Sequence, residues 1–324
     1  MKAILPVAGI GKRLRPHTLN IPKALLNVAG KPILGHIIDG LLEMGVTELI
    51  PIIGYKGELI REYLTSTYRM PITFVEQTEQ KGIAHAVSLA RPYADRSELI
   101  IILGDTIIKT DFKRVPREGD WVLGVREVAD PERFGIAELE GGHVARIVEK
   151  PEHPKSNLAL IGLYYFIDST PLFAACADVI GRNITTKGEY QITDALQLMI
   201  DRGTRFKPYR IDGWYDCGKV ETLLETNRVL LEDLKPCGAR DGSIVIPPCY
   251  VDPESSIVSS IIGPYVSVAK GCEIRHSIVE NSILNEGSVI ENVMLEGSVV
   301  GAYAEVTGRH GSLNVSDYSQ IDYR

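Results

Sequence analysis

An α/β fold with a mixed, mainly parallel sheet flanked by helices, followed by a separate parallel β-helix, is the architecture this sequence predicts. Three observations predict it. Strand-like apolar runs alternate with amphipathic helical stretches from Lys2 to about Leu234. A breaker cluster, Lys235-Pro236-Cys237-Gly238, then ends that pattern. Beyond it aliphatic residues recur at six-residue steps, in sets that restart every sixteen residues.

In the first part, Lys2–Val7, Thr47–Ile53, Ile72–Val75, Glu98–Leu103 and Trp121–Val125 read as strands, with helical stretches over Ile33–Met44 and Lys56–Leu64 between the early ones. A βαβ series of this kind binds ligands at the carboxyl ends of its strands. A hairpin over Ile136–Leu139, Glu140-Gly141-Gly142 and His143–Val148 makes the sheet mixed. An amphipathic helix over Lys219–Leu234 precedes the breakers, so the domains are expected at 1–235 and 239–324. In the second, Ile246, Ile262, Ile278 and Met294 align at sixteen-residue spacing, as do Val258, Ile274, Ile290 and Val306. Asp252 is the exception in the set of Val268, Leu284 and Val300. Gly263, Gly271, Gly287, Gly297 and Gly301 fall near the corners, and the spacing resembles a left-handed parallel β-helix of about four coils.

Composition narrows the function. The 324 residues carry a net charge of −7 with no long run of either sign, which gives no electrostatic footprint for nucleic acid. No apolar run has the roughly 20 residues of a membrane helix. Gly9, Gly11, Lys12 and Arg13 interrupt the first apolar run before a signal-peptide core forms, so a cytoplasmic location is expected. Cys176, Cys217, Cys237, Cys249 and Cys272 are odd in number and lack a CxxC pair, which fits free thiols rather than zinc or a disulfide framework.

The first strand runs into Ala8-Gly9-Ile10-Gly11-Lys12-Arg13-Leu14-Arg15-Pro16. Glycines there let backbone N–H groups approach phosphate oxygens, and Lys12, Arg13 and Arg15 offer cationic donors. Most glycine pairs only turn the chain, and neither a Walker loop nor a dinucleotide fingerprint is present. Pro22-Lys23 supplies another ammonium one loop further on.

This pattern, GxG-x-R-L-x-P-x-T followed by P-K, resembles the signature of the sugar-1-phosphate nucleotidyltransferases, and the resemblance continues in order along the first domain. Gln77 with Gly82-Ile83-Ala84-His85-Ala86 is similar to the family's base-binding segment, and Leu103-Gly104-Asp105 to its metal-binding strand end. Phe134-Gly135, Glu149-Lys150-Pro151 and Gly162-Leu163-Tyr164 are similar to the segments that hold the sugar phosphate. Glu189 with Ile192-Thr193-Asp194, and Gly213-Trp214-Tyr215-Asp216-Cys217-Gly218, complete the series. The chain departs from the pattern at Ala8 and Lys12, where many members have glycine and threonine, and at Thr106, where thymidylyltransferases usually have asparagine.

The resemblance implies a Rossmann-like catalytic domain and attack by a sugar 1-phosphate on the α-phosphorus of dTTP or UTP, with glucose 1-phosphate the expected acceptor. It implies nucleotide contacts from Ala8, Gly9, Gly11, Lys12, Arg13, Gln77, Gly82 and Asp105, and sugar-phosphate contacts from Gly135, Glu149, Lys150, Gly162 and Tyr164. Arg13, Lys23 and Lys150 are the expected catalytic cations; Asp105 and Asp216 are the expected ligands of Mg²⁺, a cation that prefers oxygen donors. Taken alone, Asp105 reads as a turn cap and Glu149-Lys150-Pro151 as a solvated turn. His17 and His85 have no partner pattern and read as structural.

The segment Ser156–Gly162 and the solenoid tail most resemble the long-form glucose-1-phosphate thymidylyltransferases. The alternatives are a uridylyltransferase, a catalytically inactive regulatory subunit, and a bifunctional enzyme with acyltransferase activity. With only His276 and His310 in the repeat, the solenoid is expected to support homo-oligomer assembly rather than chemistry.

Overall fold

The computed structural model describes residues 1–235, 242–308 and 312–322. The breaker residues Pro236, Cys237 and Gly238, and His310, lie outside them. Two compact units form: Met1–Gly9 with His36–Trp214, and Ile10–Gly35 with Tyr215–Arg324.

The first unit is built on a nine-stranded sheet. Its strands are β1 (Lys2–Pro6), β2 (Glu48–Ile53), β3 (Val75–Glu76), β4 (Leu99–Ile102), β5 (Trp121–Glu127), β6 (Gly135–Glu140), β7 (His143–Glu149), β8 (Leu158–Phe166) and β9 (Lys207–Arg210). The spatial order is β7-β6-β8-β4-β1-β2-β3, with β5 also on β8 and β9 on β5. β1 pairs in parallel with β2 and β4, whereas β8 runs antiparallel to β4, β5 and β6. The antiparallel share therefore extends beyond the hairpin β6–β7 to the centre of the sheet. Every residue of β8 is buried, as expected of a strand covered on both faces. The helix Ile33–Met44 begins and ends where the apolar periodicity places it, and Gly57–Thr67 starts one residue later than read and runs three further. Among the described residues no helix is long and apolar enough to cross a membrane.

The second unit holds a left-handed parallel β-helix with three ladders of short parallel strands. Its register corrects the uniform sixteen-residue repeat. Val245 pairs with Ile262, Val251 with Val268 and Ile257 with Ile274, all seventeen apart; Ile274 pairs with Ile290 and Leu284 with Val300 at sixteen; Val300 pairs with Val315 at fifteen. The exception at Asp252 disappears, because Val251 occupies that rung. Ile246, Val258, Ile278 and Met294, read as inward, are exposed, while Ile262, Val279 and Leu295 fill the interior. A one-residue shift moves a strand's side chains to the other face, which is why a fixed repeat misassigned them. Serines complete the corners: Ser260 Oγ accepts from Ser277 N, and Ser277 Oγ from Val293 N, one coil apart. These bonds satisfy backbone groups that the turns leave out of the ladders.

The same unit contains the helix Val220–Leu231 and the loop 10–35. This division differs from the expected 1–235 and 239–324, because that loop and helix pack with the coils through buried polar contacts of Asn227.

Candidate active site

In the first unit the carboxyl end of β4 leads into Leu103-Gly104-Asp105. Leu103 N donates to Gly162 O at 3.0 Å, fixing β8 against that end. Gly162 has φ +82°, and a Cβ there would stand 2.7 Å from Leu103 Cγ, so only glycine fits the irregularity in β8. Asp105 is half-buried and accepts from Thr106 Oγ1 at 3.2 Å. Tyr164 is buried, and burial, followed by the charges of Glu149 and Asp105, pushes its hydroxyl well above the usual phenol range. Its hydroxyl therefore stays protonated.

Glu149, at the end of β7, points inward. Its Oε2 accepts from Thr193 Oγ1 at 3.0 Å and its Oε1 lies 3.3 Å from Lys150 Nζ. Gly135 makes room for this pair, since a Cβ there would stand 2.7 Å from Thr193 Cγ2 and 3.0 Å from Glu149 Oε2. Burial, with Glu149 adding to it, raises the carboxyl of Asp194 above its ordinary value. Lys150 sits at φ +43°, its N–H bonded to Phe134 O, and the Phe134 ring meets Trp214 edge to face at 5.1 Å. Asp105, Gly135, Glu149, Lys150, Gly162 and Tyr164 thus form one acid-rich cluster with an aromatic wall and one exposed ammonium.

Besides Asp105, the residues expected to meet the nucleotide in this unit are Ala8, Gly9, Gln77 and Gly82. Gln77 is buried, and its Nε2 lies 3.4 Å from Gly82 O and 3.3 Å from His85 Nδ1. Its amide is thereby oriented by the segment it was expected to work with. Burial and the nearby Lys81 charge lower the pKa of His85, keeping it neutral beside Gln77. Gln80, which the sequence reading passed over, donates from Nε2 to Ala8 O at 2.9 Å and ties the first glycine turn to the base segment. Its only signal in the sequence is its place two residues before Gly82.

In the second unit Gly11 has φ +68°, and a Cβ there would meet Lys23 Cβ at 3.0 Å and Thr18 Cγ2 at 3.1 Å. A short 3₁₀ turn over Lys12–Leu14 follows, closed by Leu14 N to Gly11 O and by Thr18 Oγ1 to Gly11 O. Lys12 and Arg13 face solvent, while Lys23 is buried apart from 9% of its surface. Asp216 and Arg13 converge on Gly218: a Cβ there would lie 2.8 Å from Asp216 Oδ1 and 3.0 Å from Arg13 Nη2.

Among the described residues no group of three or more His, Cys, Asp or Glu side chains could hold a metal. Asp105 in the first unit and Asp216 in the second each offer carboxylate oxygens, the donor type that suits a hard divalent cation.

A family model described as nucleotidyl transferase matches residues 2–233. The chain is 34% identical to the low-salt glycan biosynthesis nucleotidyltransferase Agl11 of Haloferax volcanii, over 99% of both chains. It is 36% identical to a glucose-1-phosphate thymidylyltransferase of Streptomyces antibioticus, over 95% of this chain and 94% of that one. Among solved structures, UDP-glucose pyrophosphorylase complexed with UDP-glucose matches with a TM-score of 0.63 and 25% identity, covering 72% of this chain and 99% of that one. With that match spanning the cluster around Asp105 and Glu149 as well as the loop of Arg13 and Lys23, the chain belongs to the nucleotidyl transferase family, as an enzyme of the sugar-1-phosphate nucleotidyltransferase type.

Proposed function

We propose that the enzyme transfers a thymidylyl group from dTTP to glucose 1-phosphate. The supporting observation is the match to the Streptomyces thymidylyltransferase across nearly all of both chains, β-helix included. UTP is the second reading, favoured by the likeness to a structure that holds UDP-glucose. One methyl group separates the two bases, and an apolar contact to a methyl discriminates by only about 1–3 kcal/mol.

In this reading an oxygen of the sugar phosphate attacks the α-phosphorus in line. The bond from that phosphorus to the oxygen bridging to the β-phosphate breaks, and pyrophosphate leaves with the electron pair. Lys150 holds the attacking phosphate, Arg13 the leaving phosphates, and Lys23 the charge growing at the α-phosphate. Glu149 accepts hydrogen bonds from sugar hydroxyls, and the protonated Tyr164 donates into the same cluster. Gln77 meets the pyrimidine edge, with Ala8, Gly9, Gly11, Lys12 and Gly82 lining the nucleotide. Enzymes of this family generally use a divalent metal. In this reading Asp105 and Asp216 are the residues that would hold Mg²⁺, which would neutralise phosphate charge when bound.

Four buried cysteines, Cys176, Cys217, Cys249 and Cys272, each stand as a thiol and support a reducing, cytoplasmic setting. An outward ladder of Ile244, Ile261, Ile278 and Met294 on the β-helix supports homo-oligomer assembly. Pyrophosphate release over a matrix of triphosphates and sugar 1-phosphates tests the substrate assignment. Fastest turnover with dTTP and glucose 1-phosphate is expected, and selective turnover of a purine triphosphate overturns it.

A further inference from the structure

The β-helix was expected to assemble subunits and stand apart from the chemistry, yet its coils hold the loop that carries Arg13 and Lys23. Three contacts inside the second unit do this. Asn227, wholly buried on the helix Val220–Leu231, accepts at Oδ1 from Ala29 N at 2.8 Å and from Ser267 Oγ at 2.6 Å, and donates from Nδ2 to Tyr265 O at 3.3 Å. One amide thus joins loop, helix and coil with most of its hydrogen-bonding capacity. Beside it Gly30, at φ +88°, lies against the Tyr250 ring, where a Cβ would stand 2.6 Å from a ring carbon. At the other end of the loop, Ser316 Oγ donates to Pro16 O at 3.1 Å.

These anchors, at residue 16 and at residues 29 and 30, bracket Lys23, and Arg13 lies three residues before the first. Between them the loop is closely packed: Gly11 rests on Lys23 and Thr18, and Thr18 Oγ1 closes back on Gly11 O. A displacement at either anchor therefore carries Arg13 and Lys23 with it. The helix that bears Asn227 also begins two residues after Gly218, where Arg13 and Asp216 converge. We propose that the β-helix positions the phosphate-binding loop, with Asn227 and Ser316 as positioning residues that act through Arg13 and Lys23. This rests on the reading of those two cations as phosphate ligands. In phosphoryl chemistry, placement of cations is most of what the protein contributes, so a loosened anchor costs rate without removing any reacting group.

Ser316 is the gentler site to test, because Asn227→Ala also strands the buried Ala29 N–H and can unfold the unit. Ser316→Ala, Ser316→Thr, Arg13→Ala and the double variant Arg13→Ala with Ser316→Ala are compared as full-length proteins in a pyrophosphate-release assay. Each of dTTP and glucose 1-phosphate is varied in turn, and melting temperatures are recorded. Ser316→Ala is expected to lose about fivefold in kcat/KM for dTTP, the effect of one hydrogen bond, with the KM for glucose 1-phosphate unchanged. Ser316→Thr, which keeps the hydroxyl, should restore the rate. The double variant should lose less than the product of the two single losses, since part of the Ser316 effect passes through Arg13 and the rest through Lys23. Unchanged kinetics in Ser316→Ala, or losses that multiply in the double variant, overturn the positioning role while leaving Arg13 in place. Normal kinetics in Arg13→Ala overturn the reading of the loop itself, and this proposal with it.

Discussion

Thr193 Oγ1 donates a 3.0 Å hydrogen bond to Glu149 Oε2, joining the first turn of the helix Ile192–Asp201 to the end of β7. Both groups are largely shielded from water, so the bond fixes Oε2 and leaves Oε1 on the side of Lys150. Thr193→Val preserves the shape and removes the donor. It should raise the KM for glucose 1-phosphate about three- to tenfold and leave the KM for dTTP unchanged. Initial rates with each substrate varied separately check this; an equal rise in both constants contradicts it.

Gln77 is held by Gly82 O and His85 Nδ1, which presents the rest of its amide in a fixed orientation. Gln77→Ala should weaken dTTP binding by about tenfold and narrow the gap between pyrimidine and purine triphosphates. Competition among triphosphates measures the gap. If discrimination stays at the wild-type level, the base is read elsewhere.

Asp105→Ala and Asp216→Ala should each remove most turnover, on the order of a hundredfold or more, because each deletes an oxygen donor needed to offset phosphate charge. Neither substitution opens a core cavity, so melting temperatures should stay close to wild type. Chelation with EDTA should stop the wild-type reaction, and added Mg²⁺ should restore it. Near-normal Mg²⁺-dependent rates in either variant would remove that residue from the metal site.

His17 is 2% exposed, and neither ring nitrogen has a hydrogen-bond partner among the described residues. Burial lowers its pKa from the ordinary 6.5, while Asp317 pulls the other way. A depressed folded pKa means the unfolded chain takes up the proton first as pH falls. The associated stability is complete above about pH 6.5 and is lost as the pH drops through the folded value. Melting temperature should therefore decline on acidification below 6.5, and His17→Leu should flatten that part of the profile. An identical pH profile in the variant would show that other groups govern the acid limb.

Much of residues 1–235 was readable from the chain because the signals there are local. The helix Ile33–Met44 follows from apolar spacing alone, and Gly11 and Gly162 mark positions where the backbone needs a positive φ. Asp105 and Glu149 stand at strand ends, where ligand groups are expected in a sheet of this kind. What escaped the sequence reading depends on distant partners. Gln80 matters through a bond to Ala8, 72 positions away, and Asn227 through one to Ala29, 198 positions away. Neither residue type announces such a bond. The coil register escaped for a different reason: outward and inward aliphatics stand at adjacent positions, so a wrong repeat length still finds an aliphatic residue or methionine at nearly every step, Asp252 excepted.

The coils differ in length by single residues, yet the pairing along each ladder is unbroken. Val245 lies under Ile262 and Val251 under Val268 at seventeen, whereas Ile262 to Val268 takes six residues and Val279 to Leu284 only five. The surplus lies at the corners Pro247-Pro248 and Gly263-Pro264, outside the paired strands, where Pro248 O accepts from Tyr265 N and Pro264 O from Asn281 N. Length polymorphism in this part of the gene is thus of two kinds. A codon gained or lost at a corner leaves every interior side chain where it was; the same event inside a three-residue strand turns an isoleucine out to water and a charge into the core. Reading frames that drift at the bends can persist through evolutionary time, and homologous tails aligned at constant spacing will show apparent polar intrusions, like the one at Asp252, that are only miscounted bends.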